Sequence, residues 1–342
     1  MITSVSILIV NHNSSQHLIN LFESILKQKS TNKKTPDITS IRILVWDNTY
    51  ASEQINYSRY SQLLFNKLGV FLYPYYPEKQ LAYVDAINEL VEKANHIDKE
   101  SRLIILNPDT ILPPDFFAHL QYSDRDPYRV ISNFTIKNHT PKAVTRGGNA
   151  VNVFGQYIDS LNKWYRFDAI TTTGAAFLIN MDAKQLRRFL LPRNGKLFLP
   201  CFEMYGEDCE LALYYILRTG HCINILPAIV DYIGGGSQAI KLGDFCPTRR
   251  YLACRNQVLL WAAHAQSWLW LYVIAAALYI ILEGVYVTFR YPRKGLYHFF
   301  ATYIPALLDA VSSIPIARMQ AGKYPRGISD LDYIKRFGTI FG

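Results

Sequence analysis

Three carboxylates fall within Glu207-Asp208-Cys209-Glu210, just after Tyr205-Gly206 and at the start of an apolar helical pattern. A pair such as Glu207-Asp208 at a helix start places charged oxygens where a proton can be taken from a substrate hydroxyl. The free N–H groups and the dipole at that end favour the ionised form. Acidic residues are also ordinary first-turn residues with only a capping role. A second acidic motif, Asn107-Pro108-Asp109-Thr110, stands far upstream and shifts the balance toward chemistry. By itself that motif also reads as a plain turn.

The elements that must position these groups alternate. Residues 5–10 form a continuous apolar strand ending at Asn11-His12-Asn13, and Leu18, Leu21, Phe22, Ile25 and Leu26 continue as a helix. A second strand, 41–46, ends at Asp47-Asn48. A weaker strand covers 70–73, a helix 78–94, and a third apolar strand 103–106 ends at Asn107. Unbroken strands alternating with helices predict an α/β protein whose parallel sheet is covered on both faces. Asn11, Asp47 and Asp109 each sit just past the carboxyl end of such a strand. In open α/β sheets that rim is where ligands bind.

Beyond residue 126 the pieces shorten. A strand is expected at 130–136 and a Gly-rich stretch at 145–153. A strand-like run over 170–179 has a small-residue waist at Gly174-Ala175, either a close backbone approach to a ligand or a bulge. The helix 207–218 stops at Gly220 as a C′ glycine would. A strand at 223–226 continues through Pro227 to Tyr232 and the triple glycine 234–236.

Half the 342 residues are hydrophobic and 18% are charged, which excludes a disordered chain. Residues 241–342 hold 12 Lys and Arg against 5 Asp and Glu, a net +7 of the total +9. A basic, apolar C-terminal third predicts an anionic membrane surface as partner and no nucleic acid, since neither zinc-finger spacing nor an Arg-rich helix is present. The run 258–289 is rich in Trp and Tyr and borderline in length for a crossing. It is expected as a helix or bent pair lying in the cytoplasmic membrane interface, with a true crossing as the alternative. A second segment, 296–316, interrupted by Pro305 and Pro315, is expected as a shallow amphipathic element. Five cysteines form no C-x-x-C pair, and residues 5–10 are too short for a secretory signal. Reduced thiols in a cytosolic protein are expected.

In order and spacing, these motifs resemble family 2 glycosyltransferases over most of the first 260 residues. Asn107-Pro108-Asp109 resembles the D-x-D-type motif in the form common to bacterial rhamnosyltransferase-like members. Trp46-Asp47-Asn48, Thr173-Gly174-Ala175-Ala176, Met204-Tyr205-Gly206-Glu207-Asp208 and Arg255-Asn256 are similar to the family's later motifs. The resemblance implies a GT-A-type, mostly parallel nucleotide-binding sheet over 1–245, with a donor half (1–125) and an acceptor half (126–245). A helical membrane-associating region follows at 246–342. It implies an inverting transferase using Mg²⁺ or Mn²⁺, a nucleotide-sugar donor and a lipid-linked glycan acceptor. Asp208 is then the general base and Glu207 its support, with no catalytic part for Glu210, expected as a solvated helix residue. Asn11, Asp47, Asn107, Asp109 and Arg255 would bind donor, with Asp109 holding the metal. Gly174, Ala175 and Tyr232 would bind acceptor. The family often has a histidine where Tyr232 stands, and its Asn-x-Gly near the third strand is replaced by Glu78-Lys79-Gln80-Leu81. Those departures keep open a degenerate, non-catalytic member of a glycan-assembly complex. A nucleotide-cofactor oxidoreductase is set aside because no G-x-G-x-x-G follows the first strand.

Overall fold

The computed structural model describes residues 3–28, 38–49, 55–120, 130–138, 174–233, 246–291 and 294–337, together with 145–146, 150–151, 154, 157–158 and 168–169. The first half alternates as expected: β1 (Ser4–Asn11), α1 (Ser15–Leu26), β2 (Ser40–Asp47), α2 (Tyr57–Leu68), β3 (Phe71–Tyr75), α3 (Tyr83–Ile97) and β4 (Arg102–Leu106). Short pieces follow: β5 (Thr110–Ile111), α4 (Phe116–Leu120), β6 (Ile131–Asn138), β7 (Thr145–Arg146), β8 (Ala150–Val151), β9 (Tyr157–Ile158) and β10 (Asp168–Ala169). Then come β11 (Ala176–Ile179), α5 (Ala183–Leu190), α6 (Glu207–Thr219) and β12 (Ile223–Tyr232). The last part is helical: α7 (Pro247–Ala262), α8 (Leu269–Arg290), α9 (Gly295–His298), α10 (Ile304–Ala321) and α11 (Asp330–Phe337).

Among the described residues ten strands make one sheet, whose main path runs β10-β12-β6-β11-β4-β1-β2-β3. The β3-β2-β1-β4 half is parallel, and β11 runs antiparallel between β4 and β6. The two-residue period of the strands splits the core into two layers. Val5, Ile7 and Ile9 of β1 pack with α1 and α2. Leu8 and Val10 face the opposite layer, with α3 and α6. This is the expected helix-flanked α/β sheet.

Two local expectations shift. The helix expected from residue 78 begins at Tyr83, because Gln80 and Leu81 instead bond to Asn48 as extended chain. Helix α2 went unread, although Tyr57, Tyr60 and Leu64 are its buried stripe and the Asn56 side chain accepts from Arg59 N as its cap. The Gly-rich stretch near 147–149, Thr171 to Thr173 and the triple glycine 234–236 lie outside the described residues.

The C-terminal helices share the inner core layer. Trp261 of α7, Ile280 of α8, Ala310 of α10 and Tyr333 of α11 belong to the same buried cluster as Leu8 and Phe177. The apolar run 258–289 is a bent pair, broken between Ala262 and Leu269. The segment around Pro305 and Pro315 is not interrupted at the prolines but is a continuous helical stretch, Gly295–Ala321. Pro305 falls in the first turn of α10, just after a π-helical turn, where a missing N–H costs least. Pro315 is carried inside α10. Gly295–Ala321 and Leu269–Arg290 are both long and apolar enough to cross a membrane.

Candidate active site

The rim predicted from strand ends exists. Asn11 and Asp47 are paired residues at the carboxyl ends of β1 and β2. Asn107 follows β4, and its amide donates to the Ala175 carbonyl (2.9 Å), tying the Gly174-Ala175 waist to the Asn-Pro-Asp turn. Thr110 N and Oγ1 close that turn on the Asn107 carbonyl (3.3 and 2.7 Å). Asp109 is 5% exposed, and β5 beyond it pairs with the end of β12, setting Tyr232 opposite Thr110.

On the first-strand side the polar groups serve one another. Asn11 Nδ2 donates to Asp47 Oδ1 (3.0 Å) and Thr49 Oγ1 (2.9 Å). Thr49 N donates to Asp47 Oδ1 (3.0 Å), and the Tyr57 hydroxyl donates to Asp47 Oδ2 (2.7 Å). Asp47 is therefore held by three partners, with 1% of its surface exposed. Burial and then the charge of Asp47 raise the Tyr57 phenol far above its ordinary value. Asn11 Oδ1 is buried without a hydrogen-bond partner.

The acidic helix start closes the other side. Asp208 and Glu207 open α6 and are 4% and 6% exposed. Asp208 Oδ1 accepts from Cys209 N at 2.8 Å. A Cβ built on Gly174 would stand 3.0 Å from Asp208 Oδ2, so the glycine makes room for this carboxylate. Glu207 Oε2 is buried without a hydrogen-bond partner. Burial first, then neighbouring Asp208, pushes the Glu207 carboxyl up to about 8. Burial and then Glu207, Asp208 and Asp109, in that order, raise the phenol of Tyr83 well above its usual range. One phenol thus feels all three carboxylates, which sequence places far apart. Tyr232 is hydrogen-bonded to Asp109 and is pushed up to about 12, mainly by burial.

Two of the expected residues have partners that the sequence does not show. Glu210 is not solvated: it is fully buried, bound by Arg193 (2.6 Å) and by His264 Nε2 (2.8 Å). The physical reason is tertiary: Arg193 and His264, from segments before and after α6, close over the Glu210 carboxylate with no side-chain exposure. Arg255 is 4% exposed and serves its own chain, donating to Glu203 Oε1 (2.7 Å) and to the Cys201 carbonyl. Arg249 supplies an exposed positive charge instead, its guanidinium 5.5 Å from the Tyr205 ring centre and close enough to act on Tyr232. Tyr57, Tyr83 and Arg249 were not singled out as site residues. Tyr57 had a usable signal in the unread stripe of α2.

Among the described residues no three His, Cys, Asp or Glu side chains gather to hold a metal by themselves. The donor set nonetheless fits a hard divalent cation shared with a substrate. Such ions are commonly bound through one or two carboxylates plus substrate phosphates. Asp109, 5% exposed at the rim, offers the carboxylate.

No protein-family profile matches the chain, and no curated protein does. Solved structures do. GalNAc-T7 with UDP, GalNAc and Mn²⁺ matches at 17% identity with a TM-score of 0.53, over 76% of this chain and 47% of that one. The fold is GT-A. S. aureus TarS matches at 12% identity and a TM-score of 0.52, over 93% of this chain and 54% of its own. TarS 1-349 in complex with UDP-GlcNAc matches at 10% identity and 0.51, over 93% and 89%. The chain thus spans about half the length of the first two. These neighbours are glycosyltransferases, and at such identities the likeness is one of fold.

Proposed function

We propose that this protein is an inverting, metal-dependent glycosyltransferase of the family 2 type, acting on a lipid-linked glycan at the cytoplasmic face of a membrane. The observation that carries the reading is that the Gly174-Ala175 waist joins the two acidic motifs at the carboxyl rim of a GT-A sheet: Ala175 accepts from Asn107 N, and Gly174 makes room for the Asp208 carboxylate. Asp208 is the general base. It takes the proton of the acceptor hydroxyl as that oxygen bonds to the anomeric carbon. The bond from that carbon to the diphosphate breaks, and the nucleoside diphosphate leaves with the electron pair. Asp109 would hold Mg²⁺ or Mn²⁺, which offsets the charge growing on the diphosphate. Glu207 keeps its proton near neutral pH and supports the base.

The donor placed first is dTDP-L-rhamnose, on the Asn107-Pro108-Asp109 form. A UDP-sugar is the second reading, favoured by the neighbours solved with UDP or UDP-GlcNAc. The membrane reading rests on the outer faces of α8 and α10. Leu271, Ile274, Leu278, Leu282 and Phe289 recur at helical spacing along α8, and Leu308, Val311 and Met319 along α10, all exposed.

The test is release of nucleoside diphosphate from a panel of sugar nucleotides, with lipid-linked acceptor and Mn²⁺ or Mg²⁺. Turnover with one donor, abolished by chelator and restored by metal, is expected. Binding of a sugar nucleotide without turnover across the panel would favour the non-catalytic alternative.

A further inference from the structure

The turn that delivers Glu207 and Asp208 is bent by residues in uncommon conformations. Glu203 has φ 59° and ψ −62°, Tyr205 has φ 67° and Gly206 has φ 92°. Two of these are not glycine, and non-glycine residues seldom hold positive φ unless their surroundings enforce it. The enforcing group is a side chain from another helix. Asn256, on α7, is 2% exposed and aims its amide nitrogen at the inside of the turn. Nδ2 donates to the carbonyls of Phe202 (2.8 Å), Met204 (2.9 Å) and Tyr205 (2.6 Å). Three carbonyl acceptors fix which end of the amide faces them, since only the nitrogen carries hydrogens. Asn256 Oδ1 has no partner, so its interactions are concentrated on the turn.

The neighbouring groups hold the same segment from outside. Arg255 binds Glu203 and stands 3.5 Å from Asp309 of α10. Gln320, also on α10, accepts from Cys201 N (3.0 Å). Val84 N, in the first turn of α3, donates to the Glu203 carbonyl (3.2 Å).

We propose that Asn256 is a positioning residue. Its amide clamps the strained turn 203–206 and thereby sets where α6 presents Asp208 to the acceptor. The proposal rests on the transferase reading for its catalytic consequence but not for the clamp itself. Asn256 touches neither donor nor acceptor. It governs placement of the base, and misplacement by about 1 Å can cost roughly 10²-fold in rate.

The test pairs Asn256→Ala, which removes the donor, with Asn256→Asp, which turns an acceptor toward three carbonyls. Amide hydrogen exchange of the full-length, substrate-free protein is read first. Exchange over residues 203–209 should rise by about tenfold in Asn256→Ala and more in Asn256→Asp, with β1 unchanged. Asn256→Ser, a smaller perturbation that keeps a short donor, should fall between wild type and alanine and serves if the others do not fold. Exchange at 203–209 equal to wild type overturns the clamp, whatever the activity. In steady-state assays kcat should fall by about 10²-fold while donor KM stays within about twofold. Parallel loss of kcat, donor affinity and melting temperature would mean a merely structural role and also overturns it. A loosened turn in a protein whose wild type transfers no sugar leaves the clamp standing and sinks the transferase reading alone.

Discussion

Glu207 and Glu210 begin the same helix one turn apart, yet they inhabit opposite kinds of surroundings. Glu210 faces the interior and has both oxygens bound, one by Arg193 and one by His264, which in turn meets the Tyr324 hydroxyl through Nδ1 (2.9 Å). Glu207 faces the sheet rim, with one oxygen unpartnered and its proton retained by burial and by Asp208. The inward network satisfies charge and fixes the helix. On the rim side, burial and a neighbouring carboxylate instead shift a titration, as functional sites often do. Neither part can be assigned from residue type, since both positions are glutamate. The rim has the same contrast within itself: Asp47 is held by Asn11, Thr49 and Tyr57, and Glu207 keeps one oxygen without a partner.

The largest expected effect is at the outward pair. Asp208→Asn should lower transfer by about 10²–10⁴-fold with little change in the unfolding midpoint. Full activity in that variant with acceptor supplied would remove the base from this site. Next comes the inward network. Glu210→Ala strands Arg193, whose side chain has no exposure, and should destabilise the fold by about 3–5 kcal/mol in urea titration. A loss of under about 1 kcal/mol, the size typical of surface pairs, would erase the distinction between the two faces.

The smallest effect is electrostatic and sharpens the comparison. Folding raises the Glu207 carboxyl from 4.5 to about 8. Between those values the unfolded chain has released a proton that the folded one keeps. Stability therefore falls as pH rises through this window, by at most about 1.4 kcal/mol per unit. Glu207→Gln should flatten that slope, measured as unfolding midpoint against pH. An unchanged slope would show that Glu207 is not the group retaining the proton.

Much of this was legible in sequence, and the limits were physical. Strand ends at Asn11, Asp47 and Asn107 could be read because an unbroken apolar run followed by polar residues marks both the strand and its rim. Helix α6 and its Gly220 stop could be read from caps and periodicity. The surroundings of Glu210 could not. Its partners lie 17 and 54 residues away, and a buried first-turn acid has the same local signature as a solvated one. The partners of Arg255 could not be read for a similar reason: a charge beside an apolar tail gives no sign that a turn at Cys201 and Glu203 will claim it. Tyr83 needed the third dimension, since only the folded sheet brings Asp109 and Asp208 to it.

The last residues of the chain carry a consequence for how the protein is made. Asp330 Oδ2 accepts from the backbone of Gln266, Ser267 and Leu269, capping α8 from a distance, and Arg326 holds both Asp330 and the His264 carbonyl. Gly327 lies so close to the end of α6 that a Cβ there would come within 2.7 Å of the Thr219 carbonyl carbon. Chains emerge from the ribosome amino end first, and folding follows that order. The β1–β4 rim can assemble while translation is still under way. Helix α6, which carries Glu207 and Asp208, is completed by Gly327 against Leu217 and by Tyr324 on the His264 that binds Glu210, so a chain stalled or clipped before Tyr324 would lack both contacts.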